Sequence, residues 1–217
     1  MSAVLRLYED ILSNDATVSL SARPRMIFVV HGAIGMGDGV WRDGEAWNGE
    51  DAVTLEAGRE GAAVWRWELA PDDSAGAATG GGVVSREKLT AVLETLPQGP
   101  LLLRGDSVAF PAGGRAYLHR HQGPGIRCLI EGGIRIDSNG HSTSYGPGAA
   151  WYENGPEPVF AQAADRPTRF IRVMILPQAY LGKSSVEYLD EADKAKPKAQ
   201  QYKIYADRPI GFAGPAT

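Results

Sequence analysis

Two histidines, His119 and His121, stand two residues apart in the stretch GGRAYLHRHQGPGIRCLIEGG, residues 113–133. Successive side chains of a strand point to opposite faces, so an extended stretch puts Tyr117, His119 and His121 on one face. Two imidazoles placed in this way can share a single metal ion. Neutral imidazole suits Zn, Mn, Fe, Ni or Cu.

The same stretch resembles the first motif of the cupin family, G-x5-H-x-H-x3-E-x6-G, with Gly113, His119, His121 and Gly132 in register. The later run YGPGAAWYENGPEPVFAQ resembles the second motif in its Gly148 turn and its proline-rich middle. Together they cover residues 107–176. The resemblance implies jelly-roll β-barrels and a metal held by two His and a Glu of the first motif and a His of the second. At the glutamate position this chain has Gly125, and the second-motif histidine falls near Val159. Two of the four usual ligands are therefore present.

Glu153, in AAWYE, is the candidate replacement. Its carboxylate would complete a two-His-one-carboxylate set, a pattern associated with non-haem iron chemistry, or would serve as a general acid-base. Arg127 lies two positions after Gly125 and shares its strand face. If that face is the barrel interior, Arg127 can anchor a substrate carboxylate through a bidentate contact. The expected site is thus a divalent transition metal (Fe, Mn, Zn or Ni) on His119, His121 and Glu153, with Arg127 and Glu153 as catalytic residues.

Several elements must position these residues. Short apolar runs divided by glycines fill residues 101–176, and Asn139-Gly140 is a type I′ hairpin signal. In the first half, residues 26–30 are strongly apolar, and Trp65, Trp67 and Leu69 alternate with Arg66 and Glu68 as in a half-buried strand. Residues 3–13 also fit a helical face. Residues 72–82, DDSAGAATGGG, read as a linker or loop. Leu89, Val92, Leu93 and Leu96 lie at spacings of three and four after a capping Ser85, which predicts a short helix stopped by Pro97. A late strand is expected at residues 202–205. The two halves repeat weakly: IFVVHG and WRWELAP in the first correspond to IRCLIEG and VMILP in the second. Counting back from Gly32 puts Ser19 and Ser21 at the histidine positions of the first half.

The expected architecture is all-β. Two jelly-roll β-barrels of cupin type stand in tandem with a short helix between. Residues 1–98 form a degenerate half with linker and helix, and residues 99–217 form the barrel with the candidate metal site and a C-terminal tail.

Composition bounds the partners. The chain has 217 residues, 27 Gly and 14 Pro, and a net charge of -4. Plentiful glycine and proline fit short strands and tight turns. The negative balance argues against nucleic acid, whose phosphates require clustered Lys and Arg. No apolar run approaches the roughly 20 residues that span a bilayer. The N-terminal MSAVLRLYED has acids where a signal peptide has its apolar stretch, so a cytoplasmic location is expected. Cys128 is the single cysteine and reads as a buried small residue, His31 as structural, and His141 as exposed. Cupins are commonly dimers, so the resemblance implies a homodimer. The leading functional expectation is a metal-dependent enzyme acting on a small acidic or aromatic molecule, by dioxygenase, isomerase or lyase chemistry. The alternative is a non-catalytic barrel that binds a small ligand beside a degenerate metal site.

Overall fold

The computed structural model describes residues 3–71, 76–94 and 96–212. The chain divides into two compact units, one of residues 1–94 and 210–217 and one of residues 95–209. Residues 72–75 of the expected linker lie outside the described residues. The fold is the expected all-β jelly-roll type. No helix among the described residues is long and apolar enough to cross a membrane.

The first unit is a single sheet of seven strands: β1 (Ala3–Leu12), β2 (Thr17–Leu20), β3 (Arg25–Met36), β4 (Gly39–Arg42), β5 (Ala46–Gly49), β6 (Val53–Pro71) and β7 (Val83–Leu93). Its main path runs β4-β3-β6-β1-β7, with β2 on β6 and β5 on β3. Ile27, Val29, Leu55 and Val64 pack on its inner face. Arg66 is the register partner of Ile27 and so shares that face. There it meets Asp10 at 2.6 and 3.2 Å and Glu68 at 2.8 Å, all three buried. An ion cluster therefore stands inside this unit, and Ser19 is exposed and bonded to the Thr54 hydroxyl.

The expected helix over residues 85–96 is corrected: residues 83–93 are β7, antiparallel to β1 across its whole length. Helical spacing was produced by a strand that turns alternate side chains outward and is interrupted by a bulge opposite Leu7/Tyr8. Ala91 and Leu93 are buried, whereas Val84 and Val92 are exposed. The β-branched Val83, Val84, Thr90 and Val92 suit the strand, and pairing satisfies the backbone of β1. β1 itself is buried on both faces, which hid its period of two.

The second unit is a sandwich of two five-stranded sheets. It contains β8 (Leu101–Phe110), β9 (Arg115–His121), β10 (Gly125–Glu131), β11 (Ile134–Ser138), β12 (His141–Tyr145), β13 (Ala150–Glu153), β14 (Val159–Ala163), β15 (Thr168–Pro177), β16 (Val186–Tyr188), a short helix α1 (Glu191–Ala195) and β17 (Gln201–Ile210). One sheet has the order β13-β10-β15-β8-β17 and the other β12-β11-β14-β9-β16. Phe110, Leu129, Trp151 and Phe170 of the first meet Ala116, Ile136, Val159 and Ala161 of the second in one core. Asn139 and Gly140 both have positive φ, 51° and 74°, and close the β11-β12 hairpin as the type I′ signal predicts. The late strand expected near residues 202–205 is the middle of β17.

Candidate functional site

The site is built between the two facing sheets of the second unit. β9 carries His119 and His121, both buried. Tyr117 does not share their face. The pairing of β9 with β14 shifts between Val159↔His119 and Ala161↔Ala116. This bulge inserts an extra residue, so Ala116, His119 and His121 point inward while Tyr117 is half-buried. The Tyr117 ring instead lies under the ammonium groups of Lys196 and Lys198. The carbonyl of Tyr117 accepts a hydrogen bond from His119 Nδ1 at 2.6 Å. A carbonyl cannot donate, so His119 carries its proton on Nδ1 and keeps the lone pair on Nε2.

The opposite sheet supplies the charged groups. Trp151 of β13, Arg127 of β10, Arg172 of β15 and Asp106 of β8 are successive register partners and form one row across four strands. Glu153 lies two residues from Trp151, on the same face. Its Oε1 accepts from Trp151 Nε1 at 2.8 Å. Its Oε2 lies 2.7 Å from an Arg127 terminal nitrogen and 3.3 Å from His121 Nε2. Arg127 also donates to the Gly125 carbonyl at 2.6 Å. Beside this pair, Arg172 donates twice to Asp106, at 2.7 and 3.0 Å. The structure thus brings together all four residues expected from the sequence: His119, His121, Glu153 and Arg127.

Burial and charge set the protonation states. Burial holds His121 neutral and pushes it down to about 3, and it lowers His119 in the same sense. Burial alone would raise Glu153, but the Arg127 guanidinium, then His121, outweigh it and hold the carboxyl well below its usual range. Burial pulls Arg127 down to about 10, which leaves it a cation at neutral pH. His121 Nε2 lies beside the Glu153 carboxylate, which cannot donate, so the contact favours the tautomer with its proton on Nε2. Among the described residues, His121 Nδ1, the Arg127 terminal nitrogen and Glu153 Oε2 are all buried without a partner in hydrogen-bond geometry, so Arg127 and Glu153 meet as a close ion pair.

These residues do not fit the metal set expected from the sequence. Glu153 is already neutralised by a buried guanidinium, and His121 Nε2 lies against that carboxylate at 3.3 Å. Val159, the position of the second-motif histidine, is an apolar neighbour of His119 on β14. At Gly125, the first-motif glutamate position, a Cβ would lie 2.5 Å from the Val173 carbonyl oxygen and 3.0 Å from an Arg127 nitrogen. No side chain can stand there without moving the backbone of β15. Among the described residues, no group of three or more His, Cys, Asp or Glu is placed to hold an ion.

His119, His121, Arg127, Glu153, Val159 and Arg172 surround a cavity of about 20 Å3, room for a water-sized occupant. Arg172, Val186, Tyr188 and Tyr202 border both this cavity and an outer cleft of about 420 Å3. Four cations, Arg104, Arg172, Lys183 and Lys198, line the cleft against two carboxylates, Asp106 and Asp207. Sequence reasoning missed Asp106, Arg172, Tyr188 and Tyr202. Asp106 and Arg172 had a readable signal: each is a charged residue within a strongly apolar strand, where a charge requires a buried partner. Elsewhere, Cys128 is buried as expected and donates to the Gly148 carbonyl at 3.6 Å. His141 is exposed. His31, expected to be structural, is an exposed side chain 3.7 Å from Asp43.

No protein-family model matches the chain, and no curated protein sequence does. Solved structures do match. Oxalate decarboxylase of Bacillus subtilis at pH 4.6 aligns over 92% of this chain and 79% of its own, with a TM-score of 0.61 and 12% identity. AerE of Microcystis aeruginosa aligns over 82% of this chain and 89% of its own, with a TM-score of 0.56 and 12% identity. Another structure of the B. subtilis decarboxylase, with a TM-score of 0.60, 12% identity and cover of 91% of this chain and 81% of its own, concerns that enzyme's Mn(II) centres. At these identities the likeness is one of fold.

Proposed function

We propose that the second unit, a cupin-type barrel, binds a small organic acid with an apolar or aromatic body, and does so without a metal. The observation that carries this reading is the outer cleft. Cations outnumber carboxylates in it, its remaining lining is mostly apolar, and it shares Arg172 and Tyr188 with the cavity beside the histidine pair. An excess of fixed positive charge attracts an anion. Tyr188, Tyr202 and Ile204 offer its body apolar contact. The apolar lining favours such an acid over oxalate, the compound named for the B. subtilis decarboxylase. The first unit is read as a cupin half without a site, since its inner face holds the Asp10–Arg66–Glu68 cluster in place of imidazoles.

Thermal melts in the presence of a chelator test this, using benzoate, salicylate, phenylacetate, short aliphatic acids and oxalate. A stabilising acid whose effect survives chelation and weakens in Lys183→Ala or Tyr202→Ala supports the reading. No stabilisation by any acid removes it.

A metal-dependent oxidoreductase is the second reading. It is favoured by the adjacent inward imidazoles, with ring centroids 4.9 Å apart, and by the Mn(II) centres of the B. subtilis enzyme. It requires Arg127 to leave Glu153. Near-stoichiometric metal in untagged protein, lost in a His119→Ala, His121→Ala double variant, would favour it over the first.

A further inference from the structure

We infer that Arg127 is a tethered cation standing in for a metal ion, and that its guanidinium keeps the histidine pair metal-free. Three observations converge on this. The Arg127 guanidinium lies 2.7 Å from Glu153 Oε2, the atom that also faces His121 Nε2 at 3.3 Å. One positive charge already sits where a cation would draw the carboxylate and the imidazole together. The hydrogen bond that Arg127 donates to the Gly125 carbonyl ties the guanidinium to its own strand. The close approach of Val173 to Gly125 clears the space of a competing side chain and leaves it to the guanidinium.

The guanidinium balances the single negative charge of Glu153. A buried carboxylate must be neutralised, because an isolated ion in a protein interior is costly. A divalent ion would do this by direct coordination to deprotonated donors. Here one covalently held guanidinium does it. Placing a divalent ion within bonding distance of Glu153 would set it against the fixed guanidinium of Arg127 in a buried site, beside an Arg172 whose charge Asp106 already balances. Repulsion between like charges is weakly screened in such surroundings. Whether an organic acid occupies the outer cleft does not bear on this exchange.

Removing the guanidinium should therefore create metal affinity. In Arg127→Met the chain keeps its bulk, Glu153 loses its counter-ion, and His121 can turn its lone pair inward by changing tautomer. The test compares untagged wild type, Arg127→Met, and Arg127→Met combined with Glu153→Gln. Each is loaded with Mn(II), Fe(II) under anaerobic conditions, or Zn(II), then desalted and analysed for metal. Thermal melts are run with and without each ion.

Wild type is expected to retain little metal and to melt at the same temperature with or without it. Arg127→Met is expected to retain about one ion per chain, at least about tenfold more than wild type, and to melt later when the ion is present. The added Glu153→Gln should abolish the gain. If Arg127→Met is unfolded without metal, recovery of a cooperative melt on adding metal has the same meaning. Stoichiometric metal on wild type, or an Arg127→Met protein that gains neither metal nor a metal-dependent melt, overturns the inference.

Discussion

Arg172 and Asp106 face each other across the β15–β8 ladder and share two hydrogen bonds, at 2.7 and 3.0 Å, inside the second unit. The bidentate geometry satisfies both ions where little of either is exposed. The pair also fixes Arg172 at the boundary between cavity and cleft. Asp106→Ala leaves a buried guanidinium without its partner, which costs about 3–5 kcal/mol. Urea unfolding should show this as a lower midpoint. A loss under 1 kcal/mol would mean that Arg172 finds another counter-ion.

Glu153 is held from its far side by Trp151, whose indole N–H donates to Oε1 at 2.8 Å. Trp151→Phe keeps most of the packing against Tyr145 and Phe170 and deletes the donor. Hydrogen bonds to charged groups contribute roughly 1.5–3 kcal/mol, so a loss in that range is expected. Equilibrium unfolding measures it, and stability within experimental error of wild type would show that Glu153 does not depend on the indole.

Gly125 is required by contact rather than by torsion. A Cβ there would meet the Val173 carbonyl oxygen at 2.5 Å and Met174 Cγ at 2.8 Å. Gly125→Ala should cost roughly 1–3 kcal/mol, as overpacking does. Gly125→Glu, which supplies the glutamate of the cupin motif that this stretch resembles, should unfold the second unit rather than complete a metal site. A folded Gly125→Glu protein with bound metal would contradict this.

Stability should fall in acid. His121 titrates at about 3 in the folded chain against an ordinary value of 6.5. Between those values the unfolded chain takes up a proton that the folded chain refuses, so stability is full above pH 6.5 and declines as pH drops toward 3. His119, also lowered by burial, acts in the same direction. Glu153 adds to the loss at lower pH, because its folded value lies below 4.5 and its contribution fades as pH falls through that folded value. Each proton of difference gives about 1.4 kcal/mol per pH unit. His121→Asn should flatten the decline between pH 6 and 4 by about one proton, read from urea midpoints across pH. An unchanged slope would show that His121 is not the buried neutral group described.

The sequence carried much of this site because its key residues obey local rules. His119 and His121 share a face through simple alternation, and Arg127 shares a face with Gly125 for the same reason. Glu153 was found by its place in a strand-like run, and the structure pairs it directly with Arg127. Local rules failed where the partner strand decides. Tyr117 was assigned to the histidine face because a bulge is set by pairing with β14 and leaves no mark on one strand's pattern. β7 resembled a helix because its outward valines and its bulge mimic a spacing of three and four. The Arg172–Asp106 pair spans 66 residues, so composition could flag each charge but not join them.

The contact between Gly125 and Val173 also gives the site a direction in time. A chain that once held an acid at position 125 and lost it could restore the acid with a single codon change only while β15 still left room. With the Val173 carbonyl now against the glycine, and Arg127 bonded to the glycine's own carbonyl, reversal would need concerted changes in two strands. Each first step alone would weaken the fold. Selection acting one substitution at a time would then move such a barrel onward to new ligands more readily than back to its former chemistry.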